Sequence, residues 1–166
     1  MKLLVWNYQG LWLPWTVRTL KELINLHRPG LVFLYETKCK ARRCDRVKDV
    51  VNYNGIKVDS MGKVGCLLLL WRKDVKVCLQ SFSVHLIDCS VKSSKCPKHW
   101  RFTGFYGYPE VTRMKKGWNL IRRLSQVLVR PWLCTGAYNK VLEQYEKSKG
   151  PFLELSGRSG TPRVPP

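Results

Sequence analysis

The sequence predicts an α/β fold, and three observations carry that reading. Short apolar runs stop abruptly at a polar residue, as Leu3–Trp6 does at Asn7 and Leu31–Tyr35 does at Glu36. Between those two runs lies a stretch with helical spacing, which gives a strand–helix–strand rhythm. Further on, short strand-like segments follow one another closely, and then helical spacing returns before a last apolar run ends near Ala137. With 166 residues, 45% hydrophobic and seven Trp, the chain fits one packed domain, not a disordered segment. A fold of this size buries roughly 70% of its unfolded surface.

Taken in order, Lys2–Trp6 reads as a buried strand closed by the turn Asn7-Tyr8-Gln9-Gly10. Val17, Leu20, Leu23, Ile24 and His27 recur at helical spacing over Thr16–Arg28, with Thr16 as the expected cap, His27 packed on the apolar face and Pro29-Gly30 as the stop. Leu31–Tyr35 is a second strand that delivers Glu36 at its end. Lys40–Val51 reads as a short basic helix. Ile56–Ser60, Gly65–Trp71, Val75–Ser81, His85–Val91 and Trp100–Tyr106 read as a meander of antiparallel strands. Thr112–Val129 restores helical spacing through Trp118, Ile121, Leu124 and Leu128, and Pro131–Gly136 is a final strand. The Pro/Gly-rich stretch 148–166 has no sustained periodicity and reads as a disordered tail behind a domain of residues 1–147.

Thirty Lys and Arg against eleven Asp and Glu give a net charge of +19, an imbalance that speaks to partners more than to fold. Between Cys89 and Leu142 the sole carboxylate is Glu110, facing eleven cations that include Arg113, Lys115, Lys116, Arg122, Arg123 and Arg130. A second basic run from Lys38 to Lys48 contains Lys38, Lys40, Arg42 and Arg43 and is opposed by Asp45 alone. Either run could be a solvated helix face, but the total excess points to phosphate contact with DNA or RNA. Seven Cys without a C-x-x-C or a zinc-spaced Cys/His cluster read as reduced thiols, several of them buried. The apolar start is too short for a signal peptide, and Cys66–Trp71 is far short of a membrane span. The expectation is an intracellular chain, nuclear or cytoplasmic, with no membrane partner.

Strand ends are where α/β sheets gather ligand-binding groups, so Asn7, Glu36, Tyr106 and, after the last strand, Asn139 stand out. A hard cation such as Mg²⁺ takes oxygen ligands and commonly uses one or two carboxylates plus a substrate phosphate, a role open to Glu36. The same positions allow structural roles. Asn7 could cap a turn, Tyr106 could be a core aromatic, and Glu36 could pair with Lys38 or Lys40.

Four segments, Trp6-Asn7-Tyr8-Gln9-Gly10-Leu11, Leu34-Tyr35-Glu36-Thr37-Lys38, Phe105-Tyr106-Gly107-Tyr108-Pro109 and Trp132-Leu133-Cys134-Thr135-Gly136-Ala137-Tyr138-Asn139, occur in a family's order. Together they resemble the endonuclease/exonuclease/phosphatase superfamily, and within it the apurinic-type endonuclease domain of plant LINE retrotransposons. The resemblance implies a four-layer α/β sandwich of two mixed, largely antiparallel sheets flanked by helices, here incomplete, and Mg²⁺-dependent cleavage of a DNA phosphodiester. By that resemblance Glu36 holds the metal, Asn7 orders the metal site, Tyr106 meets the scissile phosphate and Asn139 stabilises the transition state. The family's loop is Gly-Asp-Phe-Asn. Ala137 therefore stands where the water-activating Asp belongs, and the family's later Ser-Asp-His element has no counterpart in this sequence. Tyr8 and Lys140 also depart from the pattern. Loss of a general base alone typically lowers a rate by about 10²–10⁴-fold. The expected function is a catalytically disabled, nucleic-acid-binding endonuclease-like domain. The alternatives are a weak Mg²⁺-dependent endonuclease or phosphodiesterase, and an interaction fragment that self-associates or docks a protein through an uncovered sheet face.

Overall fold

The computed structural model describes residues 1–8, 13–37, 41–59, 66–93, 96–108, 111–127 and 130–138, without the side chains of 41–43, 96–98 and 111. The expected boundary at 147 and the tail 148–166 lie outside the described residues. Among the described residues, eight strands and three α-helices follow the order β1 (Leu3–Asn7), α1 (Pro14–His27), β2 (Leu31–Tyr35), α2 (Ala41–Val51), β3 (Asn54–Val58), β4 (Leu67–Trp71), β5 (Val75–Ser83), β6 (Leu86–Ser93), β7 (Cys96–Tyr106), α3 (Met114–Ser125) and β8 (Trp132–Ala137).

They form two four-stranded mixed sheets, β1-β2-β4-β3 and β5-β6-β7-β8. Each sheet has one parallel pair, β1 with β2 and β7 with β8, and antiparallel pairs elsewhere. Helices α1 and α3 are the crossovers that parallel pairing requires. The carboxyl ends of β1 and β2 therefore point the same way, as do those of β7 and β8.

Burial follows from strand position. The central strands β2 and β4 are apolar on both faces because both faces are covered. Val32, Leu34, Leu68 and Leu70 pack with Leu20 and Ile24 of α1 and Cys44, Val47 and Val51 of α2. Leu31, Phe33, Leu67 and Leu69 face the second sheet, against Ile87, Cys89, Val91 and Phe102. On edge strand β5, Val75 is buried while Lys76, Cys78 and Gln80 are exposed, the alternation expected where one face is wet. Gly104 lets the sheets meet, since a Cβ there would come within 2.5–2.6 Å of the Phe33 ring.

The outer face of the second sheet is organised by a buried polar network. Arg101 donates from Nε and Nη2 to the two Asp88 carboxylate oxygens at 2.8 and 2.9 Å, and from Nη1 to the Leu124 carbonyl in the last turn of α3 at 2.5 Å. Thr103 Oγ1 donates to Asp88 Oδ1 (2.6 Å) and accepts from Trp132 Nε1 (2.8 Å). A cation at a helix C-terminus also complements the helix dipole. These contacts and Gly117 against Phe105 seat α3 as the fourth layer.

Several expectations change. Helix α1 starts at Pro14, with Leu13 at the cap, and Thr16 instead donates back to the Leu13 carbonyl at 2.6 Å within the first turn. Proline at the first helical position removes one of the amide hydrogens that would otherwise go unpaired, and Leu13 supplies no side-chain cap. His27 is exposed, because the apolar stripe ends at Ile24 and the last turn runs past it. The expected meander is divided between the sheets. The Arg72-Lys73-Asp74 turn, closed by the Arg72–Asp74 ion pair and a Val75 N–H bond to the Arg72 carbonyl (2.9 Å), carries the chain from β4 in one sheet to β5 in the other. Trp118 is exposed, as described below. Among the described residues Cys44, Cys66, Cys78, Cys89 and Cys134 form no disulfide, and the first two and Cys89 are buried. Among the described residues no helix is long and apolar enough to cross a membrane.

Candidate nucleic-acid and metal site

Alternation along β1 places Leu3 and Val5 in the layer between the sheets, which puts Asn7 on the same face at the exposed strand end. Asn7 is in register with Tyr35 of β2, and Glu36 follows immediately. On the opposite sheet Tyr106 ends β7 and is in register with Ala137, which ends β8. The interior therefore opens at one rim formed by the carboxyl ends of β1, β2, β7 and β8.

A hydrogen bond spans that rim: the Tyr106 hydroxyl donates to Glu36 Oε1 at 2.7 Å. The Tyr35 ring lies 6.0 Å from that of Tyr106, and burial, then the neighbouring Glu36 charge, push the Tyr35 hydroxyl's pKa up. Glu36 has φ 57°, a left-handed conformation that costs a non-glycine residue of order 1–3 kcal/mol and tends to persist where function holds it. Thr37 anchors the turn, its amide and hydroxyl both donating to the Cys66 carbonyl at 3.3 and 3.2 Å.

Tyr106 is itself clamped. Its amide donates to the His85 carbonyl at 2.7 Å, and its carbonyl lies 3.0 Å from His85 Nδ1. The imidazole packs on Tyr108, with ring centroids 3.7 Å apart. His85, expected to begin a strand, thus sits in the β5–β6 turn and supports Tyr106. Its sole sequence signal is a histidine between two strand patterns. Tyr8 is fully buried, its hydroxyl donates to the Thr16 carbonyl, and burial raises its pKa to about 12.

At the end of β8, Gly136 has φ 142°, and a Cβ there would collide with the Phe105 carbonyl, so glycine is required. Ala137 is half-buried, and its carbonyl accepts the Gly107 amide at 2.6 Å. Its methyl is the group this strand end offers the rim. Asn139, Lys38 and Lys40 lie outside the described residues, as do the side chains of Arg42 and Arg43. Among the described residues no group of three or more His, Cys, Asp or Glu could hold a metal.

Arg113, Lys115, Lys116, Arg122 and Arg123 are all exposed, on α3 or immediately before it, with no acid on the helix. Lys115 and Lys116 occupy the first turn, where cations oppose the helix dipole by typically 0.3–1 kcal/mol each. An anion at that surface would relieve this. Trp118, on the apolar stripe of the helical spacing, is 41% exposed, and its ring stacks on Tyr138 at 9° and 5.6 Å. The buried place is taken by Gly117.

No protein-family model matches the chain, and no curated protein matches it. Solved structures do. D. rerio TDP2 in a form humanized by 14 mutations aligns with TM-score 0.63 at 14% identity, covering 84% of this chain and 62% of that one. The same protein complexed with a single-strand DNA product gives 0.59 at 16%, with 84% and 60% covered. An endonuclease/exonuclease/phosphatase family protein from Bacteroides thetaiotaomicron gives 0.61 at 11%, with 83% and 62%. The endonuclease domain of TRAS1, a telomere-specific non-LTR retrotransposon, gives 0.58 at 9%, with 84% and 60%. The chain thus spans about three fifths of each matched structure. Two mixed four-stranded sheets layered between helices give this chain the fold seen in endonuclease/exonuclease/phosphatase structures and in the endonuclease domain of that non-LTR retrotransposon.

Proposed function

We propose that the chain is a LINE-type endonuclease-like domain that binds nucleic acid through its phosphates and does not cut it. The observation that carries the reading is α3, an exposed helix with four cations and no acid that leads into the strand ending at Ala137. Cleavage of a phosphodiester by water needs a group to take the water's proton, and a methyl group cannot. Tyr106, Glu36, Asn7 and, by the resemblance, Asn139 remain as groups that bind and orient.

Mg²⁺ fits the described donors at their minimum. Glu36 would supply the carboxylate and Asn7 an amide oxygen, with water and a phosphate oxygen completing the shell. When bound, the ion would neutralise charge on a phosphodiester. The Tyr106 hydroxyl would hold Glu36 in place for it. The intact Glu36–Tyr106 pair favours one second reading, a weak Mg²⁺-dependent nuclease. The interaction-fragment reading has less support: Phe82 and Leu133, the exposed large apolar residues among the described strands, sit on β5 and β8, opposite edges of their sheet.

Duplex affinity measured against salt tests the binding claim. Contact through the five described cations near α3 predicts a log–log slope near about −4.5, at roughly 0.9 per phosphate neutralised, and a flat plot rejects the proposal. Nicking of supercoiled plasmid with and without EDTA tests the other half. EDTA-sensitive nicking by the unaltered chain establishes the nuclease reading. Under the proposal, Ala137→Asp is the variant in which nicking would first emerge.

A further inference from the structure

We propose that Trp118 is a stacking platform for one unpaired nucleobase, so that this surface takes single-stranded nucleic acid in preference to closed duplex. The inference rests on the phosphate-binding reading above and names the form of nucleic acid that the surface selects.

Three observations support it. First, the indole is exposed yet held. Trp118 keeps 41% of its surface exposed while one ring face lies on Tyr138, nearly parallel at 9° with centroids 5.6 Å apart. Tyr138 in turn packs on Phe105 at 5.7 Å and donates its hydroxyl to the Cys134 carbonyl at 3.4 Å. An aromatic ring fixed in this way loses little conformational freedom when a base lands on it, which favours binding.

Second, the charge around it is of one sign and correctly spaced. Lys115 and Arg122 lie three residues before and four after Trp118, so all three share one face of α3. Both cations are exposed. A base on the indole would have its flanking phosphates within the reach of these two long side chains, the pairing of aromatic and cation that single-strand binders use.

Third, the platform adjoins the rim. Tyr138 directly follows Ala137, whose register partner is Tyr106. A strand running along α3 would thus be led toward Glu36. A closed duplex keeps its base faces stacked on one another and can use the cations but not the indole.

The test uses fluorescence anisotropy of two labelled DNAs at low salt: an oligothymidylate, and a duplex closed by hairpin loops too tight to release a base. Trp118→Ala should weaken oligothymidylate binding by roughly 5- to 150-fold, the range reported by alanine substitution at base-stacking aromatics. Binding of the closed duplex should stay within about twofold, and Trp118→Phe should retain most single-strand affinity. Lys115→Gln with Arg122→Gln should reduce the single-strand salt slope by about 1.4, at roughly 0.7 per phosphate. If Trp118→Ala weakens both DNAs equally or neither, or if Trp118→Phe fails as badly as alanine, the platform is refuted while salt-dependent binding by the unaltered chain still stands. If the unaltered chain binds neither DNA with a salt dependence, the phosphate-binding reading falls, and the platform falls with it.

Discussion

Replacing Arg101 by Met should destabilise the domain by about 3–5 kcal/mol, and the figure follows from what the side chain leaves behind. Arg101 and Asp88 are 3% and 4% exposed, and the guanidinium grips the carboxylate through both oxygens. Methionine fills much of the volume but strands a buried carboxylate that keeps the Thr103 hydroxyl as a donor. Removing one partner of a buried pair typically costs this much, because the charge left behind is uncompensated. Against a total of about 5–15 kcal/mol, Arg101→Met alone brings the domain close to unfolding. Removing both charges in Arg101→Met/Asp88→Leu should recover most of the loss. A residue of about 1–2 kcal/mol should remain for the buried Thr103 hydroxyl that no longer has its acceptor. Urea unfolding provides the assay, with a lowered midpoint at unchanged slope as the signature. Amide exchange should show the last turn of α3 opening first in the single variant, since Arg101 also holds the Leu124 carbonyl there. A loss under about 1 kcal/mol in Arg101→Met, or a double variant as unstable as the sum of the singles, would refute the reasoning.

Three further outcomes are expected. Tyr106→Phe removes the hydroxyl that holds Glu36 Oε1 and should weaken Mg²⁺ binding about 10–100-fold in calorimetry, as loss of an outer partner typically does; unchanged affinity would dissociate the pair from any metal. Gly136→Ala collides with the Phe105 carbonyl at positive φ, so stability should fall by at least the roughly 1–3 kcal/mol that a non-glycine residue costs in a sparsely populated backbone region, and a neutral result would contradict the β8 geometry. Stability should pass through a maximum near pH 9. The Cys66 thiol is held down to about 7, chiefly by its Cys44 hydrogen bond, so the unfolded chain binds more protons between about 7 and 9 and stability rises there. Burial pushes Cys89 and Tyr8 up to about 12 from 9.0 and 10.0, so the folded chain holds protons the unfolded chain releases. Stability then falls by about 1.4 kcal/mol per pH unit for each group. Tyr8→Phe with Cys89→Ala should flatten that alkaline limb in urea titrations, and an unchanged limb would assign it elsewhere.

The exposed cations of α3 were legible in the sequence because charge has to face water or a partner, whatever the fold. The two doubly buried strands were legible for the complementary reason. Leu31–Tyr35 and Leu67–Trp71 are apolar on both faces, and a short run of that kind has to lie inside a sheet. Strand ends at Asn7, Glu36 and Tyr106 followed from where those runs stop. The sequence by itself thus determined the α/β class, the basic face and the residues at the rim.

Tertiary structure decided which of these residues meet. The Glu36–Tyr106 hydrogen bond joins residues 70 apart in the chain, and no local pattern states that separation. The Asp88–Arg101 pair was hidden for the same reason: an acid and a base one strand apart look like two interruptions until cross-strand packing buries them together. An Arg-Lys-Asp turn reads alike whether it closes a hairpin or carries the chain to a second sheet, so the division of the meander depended on which apolar faces found each other. The exposure of Trp118 depended on Gly117 fitting against Phe105, a question of shape. Periodicity encodes what a residue needs from its surroundings. Only the packed chain supplies the particular neighbour that meets the need.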